Sequence, residues 1–420
     1  MVHSSRISID CLYSIDIGAG VGKSVQTEMV AMMTVIQDRL VGTLPRNGIL
    51  VGRVWVPARG GPVPVAVGPD GELLDISGRF ATVSDLTEAY EMQRIPQLDG
   101  PVIGSAESAL LNVPFESRNS LQPWLLSPID LHVVKASGVT FVASLLERLI
   151  EERTGGGAEN AAAVREALGK ELSQNLNSLV PGSDGAMKFR HDLIARGQWS
   201  QYLEVGLGVD AELFTKAPVL STVGSGSSVG VLHASQWNNP EPEIAIVVNS
   251  RGTAVGCTLA NDVNLRDVEG RSALLLGRAK DNNASCSLGP FIRLFDGSFT
   301  LDHVTSLHVS LSIEGADGFR LDHVSAMSEI SRSPKDLIGQ TAGKHHQYPD
   351  GFVLLLGTLF APVVDRRGDG LGFTHDSGDV VSIRADELGT LVNDVRASEE
   401  CEPWTYGIRD LVRFLSESRN

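Results

Sequence analysis

The chain has 420 residues, 42% of them hydrophobic, enough to bury a sizeable core in one large domain with an appendage or in two or three ordinary domains. Its 35 basic and 51 acidic residues leave a formal charge of −16, a field that repels polyphosphates and anionic lipid surfaces and argues against nucleic acid or a membrane as partner. The four cysteines lack C-x-x-C spacing, no run of about 18 apolar residues occurs, and the N-terminus has no signal-peptide pattern, which together predict a cytoplasmic protein without structural zinc.

Residues 1–40 read as a leader, with Met29, Met32 and Met33 as alternative starts. Within it IGAGVGKSV resembles a phosphate-binding loop, but Gly18 stands one residue too close to Gly22-Lys23-Ser24. The residue that would restore the spacing is Ile17, which does not readily take a glycine's positive φ, so no nucleotide is expected. Residues 41–124 contain apolar runs broken by Gly-Gly-Pro and Pro-Asp-Gly turns, the pattern of a small β-rich N-terminal domain. Residues 125–420 form the expected catalytic domain: a strand-like stretch, a helical insertion over about 145–198, then short strands almost to the end. The loop Gly224–Gly230 is one residue too long for a dinucleotide fingerprint and reads as a turn. The fold class is therefore β-rich α+β.

The chemistry concentrates in residues 238–291. Two apolar runs flank Asn249-Ser-Arg-Gly252, a strong hairpin signal. Glu241 and Glu243 are two apart on the incoming strand, so their carboxylates share a face. A turn centred between Ser250 and Arg251 sets Glu241 opposite Ala260 and Asp262 one diagonal step away. Three converging carboxylates call for a hard divalent cation, Mg²⁺ or Mn²⁺, whereas a lone E-x-E would be an ordinary acidic strand end.

Glu241-Pro-Glu243, the hairpin, Asn261-Asp262-x-x-x-Arg266-Asp267 and Lys280 ahead of Gly289-Pro290-Phe291 resemble the metal-site signature of the fumarylacetoacetate hydrolase superfamily. The likeness continues through Phe214-Thr-Lys216, Leu356-Gly357-Thr358 and Gly378-Asp379, over about residues 125–418. Within that superfamily WSQYLEVGLGVDAELFTKAPVLS, WNNPEPE, NDVNLRDVEGRSALLLGRAKDNNASC, KHHQYPDGF and GFTH resemble the bacterial 2-keto-3-deoxypentonate dehydratases, which act on 2-dehydro-3-deoxy-D-xylonate or arabinonate. The resemblance implies a mixed β-roll around Mg²⁺ held by Glu241, Glu243 and Asp262, and a homodimer or homotetramer. Superfamily hydrolases carry Gly-Arg-Asn-Tyr-x-x-His-x-x-Glu, and the aligned run here begins at Gly138, with Ser144 at the histidine position and Glu147 kept. Serine without a base is a poor water activator, so hydrolytic carbon–carbon cleavage is disfavoured.

The expected reaction is Mg²⁺-dependent dehydration of a 2-keto-3-deoxypentonate to 2,5-dioxopentanoate, in non-phosphorylative pentose catabolism. Lys280 and Glu147 are the expected proton carriers, in either order, with a depressed Lys280 pKa if lysine is the base. Thr358, Arg266 and Ser144 are expected at the substrate, Arg266 alternatively bracing the metal carboxylates. Rival readings are a β-diketone hydrolase or keto-acid decarboxylase on the same scaffold, and a non-catalytic keto-acid binding protein. His345, His346 and His375 lack ligand spacing and read as structural. The misspaced glycine loop predicts that removing the residues before Met33 leaves activity intact and that ATP neither binds nor is hydrolysed; micromolar affinity in a nucleotide titration would overturn this.

Overall fold

The computed structural model describes residues 40, 44–45, 47–90, 98–157, 161–169, 179–197, 199–358, 360–368 and 371–418. The glycine-rich loop, the alternative starts and Cys11 lie outside the described residues, so the expectations for the leader are not addressed by it. Cys257, Cys286 and Cys401 are buried free thiols. No helix among the described residues is long and apolar enough to cross a membrane.

The molecule is β-rich with a mixed main sheet. In chain order its strands are β1 (Ile49–Val56), β2 (Gly61–Val67), β3 (Glu72–Asp75), β4 (Val102–Ser105), β5 (Trp124–Leu125) and β6 (Val133–Gly138). After the helices follow β7 (Glu212–Ala217), β8 (Val229–Val231), β9 (Asn238–Asn239), β10 (Pro242–Val248), β11 (Ala254–Asp262), β12 (Asn264–Leu265) and β13 (Cys286–Leu294). The last are β14 (His308–Glu314), β15 (Arg320–Ala326), β16 (Phe352–Leu355), β17 (Val380–Ala385) and β18 (Gly389–Ala397). The main sheet runs β4-β3-β2-β1-β13-β11-β10-β16-β6-β7, with β5 added on β1. All its ladders are antiparallel except β16 on β6. A second sheet runs β15-β14-β17-β18-β8, and β9 pairs with β12.

The hairpins expected in residues 41–124 are present as β1, β2 and β3, but they do not stand apart. The register Ile49↔Leu294, Leu50↔Arg293 and Val51↔Ile292 joins β1 to β13, so the small β-rich segment extends the same sheet as the acidic hairpin. The physical reason is an unpaired edge: β13 is buried along its whole length and needs a partner on the side away from β11.

The sequence of β10, PEIAIVV, is buried at every position because apolar layers cover both of its faces. Ile244, Ile246 and Val248 pack with Leu311, Ile313, Val381 and Ile383 of the second sheet. Ala245 and Val247 point the other way, into a cluster with Val51, Phe80, Leu86 and Tyr90. By the same alternation Glu241 and Glu243 belong to the face of Ala245 and Val247. On β11 Val255 and Ala260 share that cluster, which puts Asp262 on the same face.

The helical region opens with Val142–Thr154, three residues earlier than expected, and includes Ala161–Gly169, Asp184–Ala195 and Gln201–Leu207. Ser144 closes a box with the Phe141 backbone at the start of the first helix, and Gly155 in the left-handed region ends it. Leu145, Leu149 and Ile150 pack on Leu203 and Leu207, fixing the helix while its other side turns to the acidic hairpin.

Leu259 is fully buried between the two sheets. Leu259→Ala is expected to lower unfolding free energy by about 3 kcal/mol in urea titrations, with an unchanged m-value because the exposed area on unfolding is the same.

Candidate metal and proton-transfer site

The β10–β11 hairpin sets the site, with a register that differs from the sequence expectation. Val248 pairs with Ala254 across a five-residue connection, and a bulge then adds Val255 to the returning strand. The two shifts set Glu243, not Glu241, opposite Ala260. Asp262 N donates to Glu241 O at 3.0 Å, so these two residues face each other directly instead of diagonally. The bulge preserves the convergence: ligand oxygens of Glu241, Glu243 and Asp262 all lie within 4.8 Å of one another, and all three residues are at most 3% exposed.

Three cations surround these carboxylates. Lys216, on β7, brings Nζ to 2.7 Å from Asp262 Oδ1 and donates to Val263 O at 3.1 Å. Lys280 ends a short helix, Leu276–Lys280, and its Nζ contacts Glu241 and lies 3.1 Å from Asp262 Oδ2. Arg148, from the Val142–Thr154 helix, donates to Glu241 Oε1 at 2.6 Å and to Glu151 Oε2 at 2.6 Å, and sits 2.9 Å from Glu269. Glu243 forms no ion pair among the described residues and accepts from Gly357 N at 2.7 Å. Gly357 has φ +94°, and a Cβ there would lie 2.0 Å from Thr140 Oγ1, so only glycine brings this amide to the carboxylate without strain.

The electrostatics follow from burial. Burial raises the Glu243 carboxyl well above its usual range, and repulsion from Asp262 and Glu241 adds to the effect. Burial also raises Glu269, to about 7, against the pull of Arg148 and Lys280. Asp262 moves the other way: burial opposes its charge, but Lys216 and Lys280 together win and lower it. For Lys280 burial works against the ammonium, yet Asp262 and Glu241 outweigh it and raise the pKa. The depressed lysine pKa expected for a C3 base is tied to a bound cation; with these carboxylates alone as neighbours Lys280 is held as an ammonium.

Glu147 also needs correction. Its carboxylate takes both Nε and an Nη of Arg165 at 2.9 Å and Arg266 at 2.6 Å, outside the walls of the acidic cavity. Burial raises its pKa, but the two arginines lower it further, so it is held ionised and is a poor proton donor. One helical turn on, Glu151 is 1% exposed and bridges Arg148 to Arg266. Arg266 stacks over Trp237 at 4.3 Å and binds Glu147, Glu151 and Pro362 O, so it braces the helix carboxylates and not the metal cluster. Ser144 and Thr358 both line the cavity, although Ser144 Oγ is engaged by the Phe141 backbone and Thr358 Oγ1 by Phe360. His375 is buried and pairs with Asp379 at 3.0 Å.

Sequence reasoning missed Arg148, Glu151, Glu212 and Glu269. The i, i+4, i+7 spacing of Ser144, Arg148 and Glu151 on one helix face was the available signal.

The cavity is lined by five carboxylates, Glu212, Glu241, Glu243, Asp262 and Glu269, against Arg148 and Lys280. With Lys216 behind Asp262, five carboxyl groups face three cationic side chains, and burial holds Glu243, Glu269 and Glu212 toward their neutral forms. A divalent cation would let these carboxyls ionise together, and three hard oxygen donors without sulfur or imidazole fit Mg²⁺ or Mn²⁺.

Residues 203–396 match the family described as fumarylacetoacetate (FAA) hydrolase C-terminal, and the hairpin, Asp262, Arg266 and Lys280 all fall within the matched stretch. A probable 2-keto-3-deoxyxylonate dehydratase of Haloferax volcanii is 34% identical over 184 residues, 44% of this chain and 60% of that protein. A 2-dehydro-3-deoxy-D-arabinonate dehydratase of Saccharolobus solfataricus is 31% identical over 195 residues, 46% of this chain and 62% of that protein. The matched stretch thus spans about three fifths of each relative. The fold is shared with the apo form of a 2-keto-3-deoxy-D-arabinonate dehydratase, TM-score 0.57 at 22% identity, over 83% of this chain and 99% of that one. It is shared equally with that enzyme's complex with magnesium and 2,5-dioxopentanoate, TM-score 0.56 at 22% identity, over 83% and 99% of the two chains.

Because Glu243 and Glu269 are raised toward neutrality, Mg²⁺ must displace protons to bind. Affinity is expected to rise with pH through the neutral range, and titration calorimetry in buffers of different ionisation enthalpy should register proton release. Glu243→Gln should weaken Mg²⁺ binding by about tenfold or more with an unchanged far-UV spectrum; unchanged affinity would exclude Glu243 as a ligand.

Proposed function

We propose that this chain is a Mg²⁺-dependent hydro-lyase that dehydrates a 2-keto-3-deoxypentonate to 2,5-dioxopentanoate. The observation that carries this reading is the convergence of three buried carboxylates beside two groups of opposite proton affinity, Lys280 and Glu269, with no imidazole among the described residues of the cavity wall. The dehydratase names of both curated relatives support the substrate class, and the related complex with magnesium and 2,5-dioxopentanoate supports the product.

Mg²⁺ held by Glu241, Glu243 and Asp262, with Mn²⁺ as a substitute, would supply a Lewis acid for the C1 carboxylate and C2 ketone, making the C3 proton acidic. Glu269, with a pKa near the working pH, accepts that proton. Lys280, charged and on the same wall, gives a proton to the C4 hydroxyl, which leaves as water. The unsaturated keto acid then tautomerises, its C5 alcohol becoming the aldehyde. Arg148 holds Glu241 and Glu269 in place, and Glu151 with Arg266 fixes Arg148 in turn. Hydrolysis is disfavoured because the Ser144 hydroxyl is engaged by the backbone at its own helix start. The same reading places the enzyme in the cytoplasm, in non-phosphorylative pentose catabolism, as a homo-oligomer.

With a 2-keto-3-deoxypentonate and Mg²⁺ in deuterated water, the product is expected to be deuterium-labelled 2,5-dioxopentanoate. Glu269→Gln should lose about a hundredfold or more in both C3 exchange and turnover, whereas Lys280→Met should retain exchange and stall hydroxyl loss. Release of pyruvate with a two-carbon fragment, or of carbon dioxide, would replace the dehydratase reading with a hydrolase or decarboxylase one.

A further inference from the structure

A second cavity, of about 360 Å³, opens between β1, β5, the Leu220–Gly224 stretch and the Glu402–Tyr406 segment, and shares no wall residue with the acidic site. Its floor is aromatic. Trp55 and Trp124 stack at 5.7 Å with 18° between their planes, and Tyr406 meets Trp55 edge-on at 5.4 Å. The Trp55↔Trp124 pairing of β1 with β5 fixes that stack in the sheet, so the surface is preformed.

The charge on its wall is unusual. Arg53 is 6% exposed, lines the cavity, donates from Nε to Ser127 O at 3.2 Å and forms no ion pair among the described residues. Asp130, the nearest acidic influence, is engaged by the backbone amides of Val83, Ser84 and Leu131. Burial accordingly lowers the Arg53 pKa, since Asp130 and Tyr406 offset the desolvation only in part. A second polar group shares the same want of a partner: Tyr406 Oη is buried without a hydrogen bond. The other arginine on the wall, Arg118, is already neutralised by Glu402 at 3.0 and 3.1 Å and lies over Trp124 at 4.8 Å. Ser127 Oγ and Thr222 Oγ1 satisfy each other at 2.7 Å. One cationic fork and one phenol are thus left for a ligand, above a flat apolar surface.

We infer that this cavity is a binding site for a small monocarboxylate with a planar, unsaturated body, its carboxylate on Arg53 and Tyr406 and its plane on the Trp55–Trp124 face. A single unpaired guanidinium matches a single negative charge in bidentate fashion. The stacked indoles favour a flat partner over a puckered one.

Three of the five tryptophans, Trp55, Trp124 and Trp404, line the cavity, so indole fluorescence reports its occupancy. The full chain, stripped of divalent metal, is titrated with benzoate, with cyclohexanecarboxylate and with benzyl alcohol. Benzoate should quench saturably, and the saturated acid and the neutral alcohol should each bind at least about tenfold more weakly. Arg53→Met should weaken benzoate by about tenfold and Tyr406→Phe by several-fold, while Glu243→Gln should leave it unchanged. Equal affinity for benzoate and benzyl alcohol, absence of saturation, or loss of benzoate binding in Glu243→Gln would each overturn the assignment. Should Arg53→Met fail to fold by far-UV circular dichroism, the three-ligand comparison on the unmodified chain still decides it.

Discussion

Burying more negative than positive charge is the constraint from which the rest of this molecule follows. Isolated carboxylates do not survive in an apolar interior; they are paired, protonated or bound to a metal. Here the first two operate side by side within one cluster, and the third is open to it. Asp262 is paired twice, by Lys216 and Lys280, and is held ionised. Glu243 has no cation, and burial shifts it toward its neutral form. The difference between these neighbours leaves room for a divalent ion, whose arrival would let Glu243 ionise.

That constraint also explains why distant chain segments are tied together. Lys216 comes from β7 at one end of the main sheet, Glu241 and Asp262 from its centre, and Arg148 from a helix outside it. Glu151 and Glu147 then engage Arg266, which follows β12, so the helix is joined to the hairpin's continuation by a second layer of ion pairs. Glu147, Glu151, Glu212, Glu241, Glu243, Asp262 and Glu269 face Arg148, Arg165, Arg266, Lys216 and Lys280 across the whole assembly. Seven carboxyl groups thus face five cationic ones. The outer pairs satisfy one another, and the carboxylates whose donor oxygens converge remain Glu241, Glu243 and Asp262.

The parts of this arrangement legible in the sequence are those with a short-range period. Two glutamates separated by one residue on a strand must share a face, and an Asn-Ser-Arg-Gly turn between apolar runs must make a hairpin. The register could not be read so closely, because the extra residue Val255 belongs to a bulge that apolar patterning does not announce. Likewise Glu147 and Glu151 are equally plausible on a helix until the packing of Leu145 and Leu149 fixes which side faces inward. Lys216 and Arg148 act across long separations in sequence, and no local pattern predicts a partner that only the sheet order supplies. The segment 41–124 is the same case at larger scale: hairpin signals mark its strands, but nothing in them reveals that β1 will find β13.

The size of the acidic cavity adds a last step. It encloses about 10 Å³, close to the space of one water, so the proposed five-carbon substrate would need the wall to give way. The groups that fill the space are the ones with the most to exchange. Lys280 and Arg148 each hold Glu241, on opposite oxygens, and a metal with its chelated acid would compete for the same lone pairs. On that reading, filling the site and loosening the Lys280 contact to Glu241 would be coupled. The ion pairs that make the buried cluster tolerable are thus the contacts that a metal and its chelated acid would have to exchange before Lys280 could face a substrate.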